Sequence, residues 1–465
     1  MKNIYFLFAT FFCFSCVALS PINQRTYRKD LKKFIYSSIK KSDLQKSIAV
    51  KVVSLDNGET LFEHNSKKLM TPASNVKLLT SAASLHYLGR EHVFDTTILK
   101  NKDNIILVGG ADPELSLQVI DSLAVLVSKD RRLIDTLFID GGLFDENYYG
   151  KGWMWDEGSN EYSAPISPLV LNNNCIDFEY SPNEIGLPAK VNIYPKTKYI
   201  TLENKSITVQ DTLNFKKLKI DRNWAEKTND YLITGEILQW GEKDTVKKNI
   251  EGPNLFFGTV FKELLESHGL TVNELFIGNT IGPKDTILIH RSRPLYNHLE
   301  DMMHDSKNMT SELLLKYMGI TDSTIGNWKG GIRKVKAYIQ DEVKIDTSAL
   351  RIADGSGLSR YNLLSASQIV KLLAHIYNED NRDVYINTLP NADEKNSSLE
   401  GRLLHAQDKI FAKTGSLSGV SCLSGYAFSP NHGPMAFSIL INGFIGSIKP
   451  HRKFQDDLCT WLVRN

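Results

Sequence analysis

Residues 74–88 form a helical stretch that is apolar on nearly every side, with Val76, Leu78, Leu79, Ala82, Ala83 and Leu85 leaving no face for water. Such a helix has to be enclosed by other elements, so the chain must build layers around it. Thr71-Pro72-Ala73-Ser74 opens this helix and Gly89 stops it. Upstream, residues 48–55 alternate like a strand and meet Asp56-Asn57-Gly58, a two-residue hairpin signal, with residues 59–62 returning. Near the other end, 422–428 and 434–441 read as strands joined across Pro430-Asn431-His432-Gly433. Phe454, Leu458, Trp461 and Leu462 then mark a closing amphipathic helix. Between them run helices at 295–304 and 309–318. Another starts at the capping box Ser365-Ala366-Ser367-Gln368, after a helix from Pro253 closed by Gly269.

Residues 92–250 have a different texture, with short strands at 104–108, 137–139, 175–180, 191–194 and 231–238. The expectation is an α+β protein whose antiparallel sheet takes strands from both chain ends and encloses a β-rich insertion. The division is 1–20 leader, 21–91 first segment of the main domain, 92–250 insertion and 251–465 second segment.

The leader is read from Lys2 and Asn3 before an apolar run at 4–18, the pattern of a secretory signal cut after Ala18 or Ser20. An N-terminal core helix is the bland alternative. Ser15-Cys16 offers a second one, a lipid anchor at Cys16, although Cys13 stands where such a site prefers an aliphatic residue. The remaining cysteines, Cys175, Cys422 and Cys459, are odd in number and unpaired in spacing, so they read as small buried residues. A net charge of +2 over 465 residues implies no broad basic face for nucleic acid. The oligomeric state is not encoded in any feature of the chain.

Three short patterns carry chemistry. Ser74-Asn75-Val76-Lys77 places a hydroxyl and an amine at i and i+3, on one helical face. A serine needs a base to become a nucleophile, and a lysine serves as that base only when neutral, a state that burial and a neighbouring cation favour. Ser37/Lys40 and Ser38/Lys41 have the same spacing, but they lie in a polar, lysine-rich segment that offers no desolvation. Ser306-Lys307-Asn308 falls in the break between two helices. Its hydroxyl can relay a proton and its amide can hold a carbonyl, although serine and asparagine there also serve as plain helix caps. Lys413-Thr414-Gly415-Ser416 stands before a strand, where a lysine and hydroxyls suit a carboxylate and glycine allows close backbone approach; an ordinary turn is the competing reading. The order of the three, each in fitting local structure, is the strong signal. No HExxH, paired metal spacing, GxSxG elbow or GK[ST] loop is present, and no metal or cofactor is expected.

With these motifs the chain resembles the S13 serine peptidases, the low-molecular-mass class C penicillin-binding proteins with D-alanyl-D-alanine carboxypeptidase and endopeptidase activity. Further matches are Asp354-Gly355-Ser356-Gly357-Leu358-Ser359-Arg360, Ile410-Phe411-Ala412-Lys413-Thr414-Gly415-Ser416-Leu417, Gly109-Gly110-Ala111-Asp112-Pro113 and Ser163-Ala164-Pro165-Ile166-Ser167. The resemblance implies a transpeptidase/β-lactamase-like domain with two small domains inserted between the first and second motifs. It implies Ser74 as nucleophile, Lys77 as base, and Ser306 and Asn308 as the second motif. Lys413, Thr414 and Ser416 would hold a terminal carboxylate beside Gly415, and the N–H groups of Ser74 and Ser416 the oxyanion. Glu157, Tyr162, Arg360, Leu417 and Ser418 match the pocket for the free head of the third peptide residue. Glu157 stands where the family usually has Asp, and Lys307 within the second motif is a further departure. Peptidoglycan peptides and β-lactams are the implied partners, outside the cytoplasm. Two other functions stay open at this point: a β-lactamase, and a weakly catalytic wall-binding scaffold.

Overall fold

The computed structural model describes residues 21–42, 48–129, 131–211, 215–406 and 408–465. The leader at 1–20, with Cys16, lies outside them.

A five-stranded antiparallel sheet forms the centre of the main domain, in the order Ile410–Leu417, Val420–Ser429, Gly433–Asn442, Ile48–Ser54, Thr60–His64. The two chain ends therefore meet in one sheet, as the alternation predicts. Alternate residues feed two cores. Val50, Val52, Leu423, Phe437 and Ile439 face one side, and Ala49, Cys422, Tyr426, Ala436 and Leu440 the other. The first side is covered by the helices Lys449–Arg464 and Pro21–Ser42. The Pro21–Ser42 helix was missed in the sequence because its apolar residues are sparse. Tyr27, Leu31, Ile35 and Ile39 recur every four residues and all are buried, while Ser37 on the same helix is exposed. The hairpin differs in detail: Ser54 N donates to Glu59 O at 2.9 Å, leaving a four-residue loop in place of two.

On the second side lies the apolar helix, Lys77–Leu88, buried along most of its length. It starts later than the sequence suggests. Ala73–Val76 is a 3-10 turn, and Ser74 sits in that turn rather than in α-helix. The Ser365 capping box is present, starting the Ala366–Tyr377 helix. Cys175, Cys422 and Cys459 are free and buried.

The inserted lobe extends further than residue 250. Strands Thr271–Ile277 and Asp285–Arg291 complete a five-stranded sheet with Leu133–Asp140, Asn104–Val108 and Asp95–Asn101. The Pro253–Ser267 helix packs Phe256, Phe257, Val260, Phe261 and Leu265 into the lobe's own core. By pairing and packing the second segment of the main domain begins after Arg291. The boundary was misplaced because Thr271–Ile277 pairs in parallel with a strand far back in the chain, which no local pattern reveals. The strand read at 231–238 is two strands in different sheets. Gly235 (φ +88°) breaks it, and a Cβ there would lie 2.7 Å from Lys216 O.

Candidate active site

The 3-10 turn carrying Ser74 is wedged between two glycines of other segments. A Cβ on Gly415 would stand 2.8 Å from Pro72 O and 3.1 Å from Ser74 N; one on Gly357 would be 1.9 Å from Ala73 O, at φ +88°. Only glycine lets these two segments lie on the turn's backbone. Asn75 staples the contact: its Nδ2 donates to Lys413 O at 3.0 Å and its Oδ1 accepts from Ser424 Oγ at 2.6 Å. Asn75 carries no motif of its own in the sequence; its one signal is a polar residue at the start of a nearly all-apolar helical stretch.

One turn on, Lys77 is fully buried. Its Nζ lies 3.1 Å from Ser74 Oγ, 2.7 Å from Asn308 Oδ1 and 2.8 Å from Ser356 O. Burial lowers its pKa from the ordinary 10.5 to about 7, with Glu312 and Asp354 pulling the other way. A neutral amine has two N–H bonds and one lone pair. With the Asn308 and Ser356 oxygens taking the N–H bonds, the lone pair is left for the Ser74 hydroxyl.

The Gly-rich segment that supplies the Ser356 carbonyl is itself pinned. Glu312 accepts from Gly355 N, Ser356 N (2.7 Å) and Trp328 Nε1 (2.8 Å). Asp354 accepts from Gly357 N (2.9 Å), Ser359 N (2.6 Å) and Trp153 Nε1 (3.0 Å). Burial, and then the charge of Asp354, push the Glu312 carboxyl up to about 7. Glu312 was also missed; a carboxylate inside the Leu-rich Asn308–Met318 helix was its sign.

Lys413, on the Ile410–Leu417 strand, is fully buried, and among the described residues its Nζ has no hydrogen-bond partner. Burial, and then the like charge of Lys77, hold it well below the ordinary lysine range, against the pull of Asp305. Lys307 turns away from the chemistry. Its Nζ lies 3.3 Å from Glu114, 3.6 Å from Asp301 and 3.7 Å from Asp305, tying the second motif to the inserted lobe. Asn308 has its amide engaged at both ends, since Nδ2 donates to Tyr162 O at 2.8 Å. A carbonyl held there has to use the second N–H.

Above these groups opens a cleft of about 480 Å³, lined by Ser74, Ser306, Asn308, Ser416 and Gly357 from the main domain. The lobe adds Met154, Asp156, Glu157 and Tyr162, and the far rim is Arg360, Leu417 and Ser418. All five residues read as the side-chain pocket are thus brought together beside Ser74. Arg360 Nη2 donates to Ser418 O at 2.9 Å. Lys77, Lys413, Thr414 and Gly415 lie behind the cleft wall, and Thr414 is buried. Among the described residues no group of three or more His, Cys, Asp or Glu side chains could hold a metal.

With a serine in contact with a fully buried lysine inside its α+β fold, the molecule falls among the transpeptidase/β-lactamase-like proteins. The profile of the D-Ala-D-Ala carboxypeptidase 3 (S13) family matches residues 31–464. The chain is 32% identical over 426 residues to a D-alanyl-D-alanine carboxypeptidase of Actinomadura sp. (strain R39), covering 85% of this chain and 78% of that one. It is 26% identical over 419 residues to penicillin-sensitive carboxypeptidase A of Dictyostelium discoideum, covering 82% and 79%. Its fold is similar to the crystal structure of penicillin binding protein 4 (dacB) from Haemophilus influenzae, with a TM-score of 0.78 at 22% identity over 90% of this chain and 98% of that one. The chain belongs to the D-Ala-D-Ala carboxypeptidase 3 (S13) family, serine-type hydrolases.

Proposed function

We propose that the protein cleaves the D-Ala-D-Ala end, or the D-residue cross-link, of peptidoglycan stem peptides through an acyl-enzyme on Ser74, and that penicillins acylate the same serine. What carries this reading is the contact of buried Lys77 with Ser74 at 3.1 Å, its two N–H bonds already taken by Asn308 and Ser356. A scaffold that had lost catalysis would have no reason to keep a lysine desolvated against a serine.

In the first step Ser74 Oγ attacks the carbonyl carbon before the terminal or bridging D-residue while its proton passes to Lys77 Nζ. The N–H groups of Ser74 and Ser416 receive the oxyanion. As the tetrahedral centre collapses, the proton leaves Lys77 for the departing amine, with the Ser306 hydroxyl as relay. Water then hydrolyses the ester by the same route reversed. A β-lactam follows the first step, but its amine stays tethered to the acyl group. Lys413 and Ser416 receive the terminal carboxylate; an arriving anion supplies the partner that Lys413 Nζ lacks and raises its affinity for a proton. Glu157 pairs with the ammonium, and Arg360 with the carboxylate, of a diaminopimelate-type head on the third residue.

Such a substrate lies outside the cytoplasm, so the apolar run at 4–18 acts as an export signal. No described helix is long and apolar enough to cross a membrane. The test is acylation by a labelled penicillin, followed by mass spectrometry of monomeric and cross-linked muropeptides after incubation with the enzyme. Wild type takes the label and shortens or splits the peptides, and Ser74→Ala does neither. A label on Ser74→Ala, or on Ser37, sinks the assignment.

A further inference from the structure

Beside the catalytic cleft, and sharing Met154 and Glu157 with it, the inserted lobe holds a second cavity of about 510 Å³. That size is within the range of about 300–1,000 Å³ typical of small-molecule sites. Its wall is aromatic. Trp155 is 77% exposed, an unfavourable place for so large an apolar surface, and its ring centroid stands 5.0 Å from that of Trp224 with the planes at 46°. The two indoles make an open V. Below them the floor is charged and tightly built. The Arg222 side chain is only 3% exposed; its guanidinium donates to Thr228 O at 2.9 Å and Asn249 Oδ1 at 3.0 Å and lies 3.7 Å from Glu251. Arg222 Nε is buried, and among the described residues it has no hydrogen-bond partner. Glu251 also accepts from the Tyr149 hydroxyl at 3.0 Å. Neither tryptophan, nor Arg222, has any part in the serine chemistry.

We propose that this cavity binds a pyranose ring, so that Trp155 and Trp224 form a saccharide subsite next to the peptide cleft. A pyranose has a C–H face, which needs a flat aromatic surface, and an edge of hydroxyls, which needs donors and acceptors together. The indole pair and the Arg222/Glu251 floor supply both within one cavity. An anion would meet Glu251 and Glu157, and a cation would meet Arg222 and Lys227, so the balanced lining favours a neutral, hydroxyl-rich ligand. Binding of the sugar stands on the cavity alone. That the sugar belongs to the same wall polymer as the cleaved peptide rests on the peptidase reading above.

The experiment titrates the β-1,4-linked tetramer of N-acetylglucosamine into the full chain by calorimetry and tryptophan fluorescence. Wild type and Ser74→Ala bind saturably, whereas Trp155→Ala binds at least about tenfold more weakly. Penicillin acylation of Trp155→Ala stays within about twofold of wild type, which serves as the check on folding. The kcat/KM ratio for a disaccharide-peptide over the free peptide falls about tenfold in that variant. Absence of saturable tetramer binding to wild type, equal binding by Trp155→Ala, or equal loss on both substrates overturns the subsite. Tetramer binding with no penicillin adduct on wild type would uphold the subsite and overturn the peptidase reading instead.

Discussion

Acylation should fade as the medium is acidified, because Lys77 must be neutral to take the Ser74 proton. With a pKa of about 7, roughly nine-tenths of the lysine is neutral at pH 8 and about 1% at pH 5, so the rate drops roughly ninetyfold between them. A lysine at its ordinary 10.5 would behave differently, with the rate still climbing about tenfold per pH unit from 8 to 10. The assay is the second-order rate of acylation by a fluorescent penicillin from pH 5 to 10 at constant ionic strength. The wild-type profile should rise with unit slope below pH 6, bend near 7 and level off. Glu312 titrates in the same range, so the bend alone does not name the group. Lys77→Arg does: its guanidinium stays protonated throughout, and acylation should be at least ~100-fold slower with the bend gone. A flat wild-type profile, a climb that continues to pH 10, or a near-normal rate in Lys77→Arg refutes a neutral Lys77 as the base.

Three further outcomes follow from the same geometry. The folded Lys77 lacks, between about pH 7 and 10.5, a proton that the unfolded lysine holds, so its burden on stability is full below 7 and eases as pH rises. Wild type should therefore gain about 2 kcal/mol relative to Lys77→Met between pH 7 and 9 in denaturant titrations, and parallel curves would contradict this. Glu157→Ala should lower kcat/KM about tenfold to a hundredfold for a peptide with a free diaminopimelate head while leaving penicillin acylation nearly unchanged. Equal loss on both would make Glu157 structural. Gly357→Ala forces a Cβ within 1.9 Å of Ala73 O at positive φ, and should cost about 2–5 kcal/mol in thermal unfolding; an unchanged melting temperature would show that the Gly-rich segment does not bear on the nucleophile's turn.

Features written over a few residues were legible before folding. The sequence marked the helix that must be buried, the Ser365 capping box, and the alternating strands at both ends of the chain. It also set Ser74/Lys77, in an apolar stretch, apart from Ser37/Lys40, in a polar and lysine-rich one. Repeat period, capping chemistry and local hydrophobicity act over one or two turns, so they survive in a one-dimensional reading. The sparse stripe of the Pro21–Ser42 helix and the strands after residue 250 lay below that threshold. The remainder depends on long-range packing. Lys77 sits fully buried against Ser74 because Asn308, 231 residues away, and Ser356, 279 residues away, close around its amine. Gly357 and Gly415 are required because of a turn that neither adjoins in sequence. Desolvation and steric exclusion depend on which distant segments come to share a volume, and that is known only once the chain has folded.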